Sequence, residues 1–142
     1  MSLQWDESLL VGIEEIDDPH RVIFEQFFKL TEAVQQGKSN EIIEKLANYL
    51  LEYAHLHFSA EEKIMVEYKY PNIDEQRHEH EEFKRNANKL KKRLLQEGAK
   101  REIAIEAIGK LLRWIIRHIG HLDKEMVAYV KECKHTDQVS FN

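Results

Sequence analysis

The chain has a single cysteine, Cys133, in 142 residues. No intrachain disulfide can form, a reducing compartment is the default, and thiolate-rich zinc or iron–sulfur sites are excluded. Two prolines and five glycines are too few for a turn-rich all-β fold. No apolar run reaches about 18 residues, so no membrane-spanning helix is expected. The opening Met1-Ser2-Leu3-Gln4-Trp5-Asp6-Glu7 is acidic and lacks a basic region followed by an apolar core, so no secretory signal is expected. A basic excess is missing too. With 21 Lys and Arg against 26 Asp and Glu the net charge is −5, which argues against nucleic acid or anionic membrane as partners. These absences predict a cytoplasmic protein.

What is present is 42% hydrophobic and 33% charged residues, ordinary for a helical domain. One domain over residues 1–142 is expected, burying roughly two-thirds of the unfolded chain's surface. Residues 1–17 read as an irregular arm anchored by Trp5, Leu9, Leu10, Ile13 and Ile16, and residues 134–142 as a polar, frayed tail. Between them lie four apolar stripes at helical spacing. The first is His20, Phe24, Phe27, Thr31, Val34, starting at an Asp18 cap with Pro19 in the first helical position and ending at Gly37. The second follows the capping pair Ser39-Asn40 and runs Ile43, Leu46, Leu50, Tyr53, His57, Glu61, Ile64. Tyr70-Pro71-Asn72 marks a turn. The third is Gln76, His80, Phe83, Ala87, Leu90, Leu94, closed by Gly98. The fourth, from about Lys100 to Cys133, is Ala104, Ile108, Leu111, Ile115, His118, Leu122, Met126. Four amphipathic helices with short links predict an all-α, up-down-up-down four-helix bundle.

Each stripe carries side chains of metal-ligand type: His20, the His57/Glu61 pair, the Gln76/His80 pair, and His118 with Asp123. A spacing of four residues puts both members of a pair on one helix face. Imidazole and carboxylate together suit iron, zinc, manganese or copper. Four imidazoles and two carboxylates exceed what one tetrahedral zinc needs. Shared over two ions, they leave positions open for a small molecule.

A lone histidine on an apolar stripe is more often a satisfied core residue than a ligand. That reading weakens when four helices each place one inward. It also leaves Glu61 as a buried carboxylate without compensation, which is expensive. His55, His78, His121 and His135 fall off the stripes or lack partners there, and read as surface residues. Glu52-Tyr53-Ala54-His55 and Glu75-Gln76-Arg77-His78 match the Glu-x-x-His motif of ferritin-like bundles. Their phase is wrong, because Glu52 and His78 lie off the apolar stripes.

In order along the chain come Ile16-Asp17-Asp18-Pro19-His20, His57-Phe58-Ser59-Ala60-Glu61-Glu62 with Met65, Glu79-His80-Glu81-Glu82-Phe83, and Trp114-Ile115-Ile116-Arg117-His118-Ile119 followed by Asp123-Lys124. Over residues 5 to 130, with Trp5 and Gly12 in the lead-in, the sequence resembles the hemerythrins, in particular the bacterial single-domain type. The resemblance implies a non-haem di-iron centre that binds O2 reversibly, for storage, delivery or sensing. By it, His20 and His57 hold the iron that accepts O2, His80 and His118 hold the other, and Glu61 and Asp123 bridge two iron ions that also share an oxo or hydroxo group. Ile23, Phe24, Phe58, Trp114 and Ile119 are the implied lining of the O2 pocket. On an ideal helix the step from His118 to Asp123 turns about 140°, so Asp123 is expected to reach sideways, with Gly120 as a point of distortion.

Two positions depart from the family pattern. Pro19 stands where the family usually has Gln. Gln76 stands where the family has the first His of His-x-x-x-His, and reads as a weak ligand or a water-holding residue. A centre opened at Gln76 gives the alternative function, a di-iron oxidase, peroxidase or NO-reactive enzyme. A helical interaction module, with zinc or no metal, is a third class.

Overall fold

The structure, a computed structural model, describes residues 9–96 and 100–140, without the side chains of residues 15 and 136–140. The expected contributions of Trp5 and Gly98 lie outside the described residues. Helices run over Glu14–Gln35 (α1), Asn40–Glu67 (α2), Ile73–Leu94 (α3) and Arg101–His118 (α4). A short π-helical segment, Ile119–Asp123, then leads into Lys124–Ser140 (α5). Consecutive helices pack against one another and α4 closes back onto α1. The short links reverse the chain each time, which makes the up-down-up-down bundle that the four stripes require.

The first helix starts earlier than the sequence suggests. It begins at Glu14, so Pro19 lies inside it rather than at its first position. The cause is Asp17. Its buried carboxylate accepts from the backbone N–H groups of Val11 and Gly12 at 2.8 and 3.0 Å. That contact ties the lead-in back over the helix start. Asp18, the expected cap, is exposed and pairs with Arg21 at 2.8 Å instead. Gly12 has φ +90°, a left-handed conformation that a side chain would strain, so the tie depends on glycine. Gly37, at φ +66°, ends α1 as expected; its N–H bonds Val34 O at 3.1 Å. Ser39 Oγ accepts from Ile42 N and caps α2. At the other end α5 runs to Ser140, past Lys134 where a frayed tail was expected.

Packing reproduces the third stripe in full: Gln76, His80, Phe83, Ala87, Leu90 and Leu94 are all buried. The second stripe is rotated. Ala47 and Ala54 face inward beside Leu50, His57, Phe58, Glu61 and Met65, while Tyr53 is 42% exposed. Small alanines let neighbouring backbones approach more closely than a tyrosine would, so packing overrides the larger apolar side chain. The core is aromatic at its centre, with Phe24, Phe27, Phe58 and Phe83 fully buried. Among the described residues, no helix is long and apolar enough to cross a membrane.

Candidate metal centre

Inside this core the four helices bring together two buried groups that share members. His20, His57, Glu61 and Asp123 form one; Glu61, His80, His118 and Asp123 form the other. Within each group the candidate ligand atoms lie within 4.8 Å of one another. The helices set the phase: α1 supplies His20, α2 His57 and Glu61, α3 His80, and α4 His118. The two carboxylates sit between the imidazoles. Glu61 Oε1 lies 2.7 Å from His57 Nε2 and 3.3 Å from His20 Nε2, and its Oε2 lies 3.2 Å from His80 Nε2. Asp123 lies 3.3 Å from His20 Nε2 and 3.2 Å from His118 Nε2.

Asp123 reaches this place because the helix widens, not because the side chain stretches. In the π-helical segment Ile119–Asp123 an extra residue enters the turn. Such an i→i+5 turn brings residues five apart towards the same side. Gly120 lies inside this segment, but no close contact there requires a glycine. It is exposed, and a Cβ there would meet nothing within 4 Å.

The Nε2 atoms of His57, His80 and His118, both Glu61 oxygens and Asp123 Oδ2 are buried and make no hydrogen bond among the described residues. Six potential donor atoms, converging in an apolar core without hydrogen-bond partners, fit a pair of metal ions. The donor set of imidazole and carboxylate fits iron, manganese or zinc alike.

The electrostatics follow from this crowding. Burial alone would lower the His20 pKa, but the adjoining Asp123 and Glu61 carboxylates raise it to about 9. His118 likewise sits at about 9, burial being overcome by Asp123, Glu61 and Glu79. Glu61 is held well below the usual carboxylate range: burial would raise it, and His57, His20 and His80 outweigh that. Asp123 is also lowered, against burial and the Glu61 charge, by His118 and His20. Without metal, protonated His20 and His118 balance the two carboxylates.

Two carboxylates escaped the sequence reading of the site. Glu62 Oε2 lies 3.1 Å from His80 Nδ1, and Glu79 Oε2 pairs with His118 Nδ1. Each can take the N–H of an imidazole whose Nε2 faces the cluster, which fixes tautomer and ring orientation. The signal available was chemical, since a metal-binding imidazole usually donates its other N–H to such a group. The contacts join different helices, so spacing could not say which of several glutamates serves.

Gln76 is buried and takes part in the cluster. Its Nε2 donates to Asp123 Oδ1 at 3.1 Å, and its Oε1 has no hydrogen-bond partner among the described residues. His55, His78, His121 and His135 are exposed. The five lining candidates divide. Phe58 stacks on His80 at 4.0 Å and Trp114 on His118 at 5.2 Å, so both support the His80–His118 half. Ile23, Phe24 and Ile119 are fully buried, and Trp114 is partly exposed at a surface cavity.

The chain matches the family profile of the Hemerythrin HHE cation binding domain over residues 11–130. It is 31% identical over 134 residues to a bacteriohemerythrin of Pseudomonas aeruginosa, covering 94% of this chain and 83% of that protein. It is 30% identical to a bacteriohemerythrin of Stenotrophomonas maltophilia, over 91% of this chain and 82% of the relative. A myohemerythrin of Theromyzon tessulatum is 28% identical over 84% of this chain and 87% of its own length.

Proposed function

Because the chain belongs to the hemerythrin family, with a buried cluster of His, Glu and Asp suited to two metal ions, we propose that it is a non-haem di-iron protein that binds O2 reversibly. Storage, delivery or sensing of O2 would be its use. The observation that carries this reading is the sharing of Glu61 and Asp123 between two groups of donors, each with two imidazoles of its own. His20 and His57 would hold one iron, His80 and His118 the other, with Glu61 and Asp123 as bridges. Held there, an iron pair would supply the two electrons that reversible O2 binding requires.

The protein's part is to hold, shield and orient. Glu62 and Glu79 hold the His80 and His118 rings by their Nδ1 atoms. Phe58, Ile23, Phe24 and Ile119 keep bulk water from the pair, which favours release of O2 over loss of the reduced state. Trp114 stacks on His118, and both line the surface cavity.

A second reading is favoured by Gln76, whose buried amide bonds Asp123 at the position where the family pattern has a further His. A more open centre suits turnover as an oxidase, a peroxidase or an NO-reactive enzyme. One experiment separates the two. Anaerobic loading with ferrous iron followed by air should give a visible charge-transfer band that vanishes on deoxygenation and returns, cycle after cycle. Irreversible bleaching or rapid oxidation supports the enzyme. Binding of fewer than about two irons per chain sinks both.

A further inference from the structure

Each half of the cluster offers the same kinds of donor, two imidazoles and a share in Glu61 and Asp123. The His80–His118 half differs in having Gln76 against it. Gln76 is 1% exposed. Its amide nitrogen is committed to Asp123 Oδ1 at 3.1 Å. An ionised carboxylate can only accept, so the NH2 end must face it and the carbonyl must point elsewhere. That carbonyl, Gln76 Oε1, is buried and accepts no hydrogen bond among the described residues. A buried acceptor of this kind calls for a donor.

We propose that the ion held by His80 and His118 has an open position of its own, filled by water or hydroxide that donates to Gln76 Oε1. Gln76 is then a positioning residue rather than a ligand, and the centre takes exogenous ligands at both ends. The inference rests on the two-metal reading above. A surface cavity of about 650 Å³, lined by Glu79, Trp114, His118 and Gly120 among others, lies against this same half and brings solvent close to it. An imidazole at position 76 would fill the position. Gln76 instead leaves room for a small ligand and selects one that carries a proton.

Azide titration of the cobalt(II)-loaded protein tests this. Cobalt content is measured first, and azide binding is then counted by calorimetry and visible absorption. The expected result is two azides per two cobalts in the wild type and one in Gln76→His. Gln76→Leu should keep both cobalts and bind the second azide between about twofold and tenfold more tightly, because the water it displaces has lost its hydrogen bond. A single azide in the two-cobalt wild type overturns the proposal, and this measurement needs no variant to fold. So does a folded Gln76→Leu that retains only one cobalt, since Gln76 would then be a ligand. A wild type that binds fewer than two cobalts fails the two-metal reading itself, and that failure is read before any azide is added.

Discussion

Loading the centre with two divalent ions at pH 7.5 should expel nearly two protons. The reasoning starts from His20 and His118, both at about 9. One and a half units below that value each ring is about 97% protonated, so the two together carry about 1.9 protons. Glu61 and Asp123 are already ionised and release none. For His118 the Nδ1 hydrogen is held by Glu79, so the proton that must leave is the one on Nε2, the atom facing the cluster. Metal needs that lone pair and competes with the proton for it. Apparent affinity for the pair should therefore rise about a hundredfold per pH unit from about 7 to 8.5, and flatten above 9, following one factor of ten per proton. The assay is calorimetric titration with zinc or anaerobic cobalt(II) in buffers of different ionisation enthalpy; the slope against that enthalpy counts protons. Release of fewer than one proton, or an affinity that ignores pH, would refute the claim that these imidazoles are charged in the metal-free protein and give up their Nε2 protons to metal.

The metal-free fold should have its own pH window. The raised His20 and His118 contribute stability that is full below their ordinary 6.5 and lost as pH rises through about 9. The lowered Glu61 and Asp123 contribute stability present above their ordinary 4.5 and 3.8, and lost as pH falls further. Urea midpoints should peak between about pH 4.5 and 6.5, and a maximum near pH 9 would contradict the assignment. Chelation at neutral pH should lower the melting temperature of the loaded protein, with a loss of about 2.7 kcal/mol of stability for each ion held at a hundred times its Kd; an unchanged value after verified metal loss counts against a buried site. Glu79→Ala should weaken metal retention about 10- to 100-fold by freeing the His118 ring; competition with a chromophoric chelator measures it, and wild-type retention would remove Glu79 from the site. Phe58→Ala should cost about 3–5 kcal/mol in the metal-free protein, because a fully buried ring stacked on His80 and edge-on to Phe83 is lost. A loss below 1 kcal/mol by denaturant unfolding would mean that the core does not depend on that ring.

Legibility followed the local physics. Gln76 to Leu94 sit at steps that a straight helix preserves, so their burial could be read directly. The same phase separated His57 from His55 and His80 from His78. Tyr53 was misplaced because periodicity cannot distinguish a bulky side chain at a stripe's margin from the alanines beside it that let the helices close. The start of α1 was misplaced because capping rules look forward from Asp18. The controlling contact runs backward from Asp17 to Val11 and Gly12.

By itself, then, the sequence determined four amphipathic helices, the bundle they must form, and the inward place of His20, His57, Glu61, His80 and His118. It could do so because each of those facts depends on spacing within one helix. Tertiary structure alone decided what depends on two helices meeting. It shows a widened turn after His118, within one helical run, that ideal periodicity does not contain and that turns Asp123 to the cluster. It chose Glu62 and Glu79 from many glutamates as partners of His80 and His118. It also pinned the Gln76 amide on Asp123, 47 residues away in the chain. No periodicity encodes such a contact, because its geometry exists only once the helices have packed.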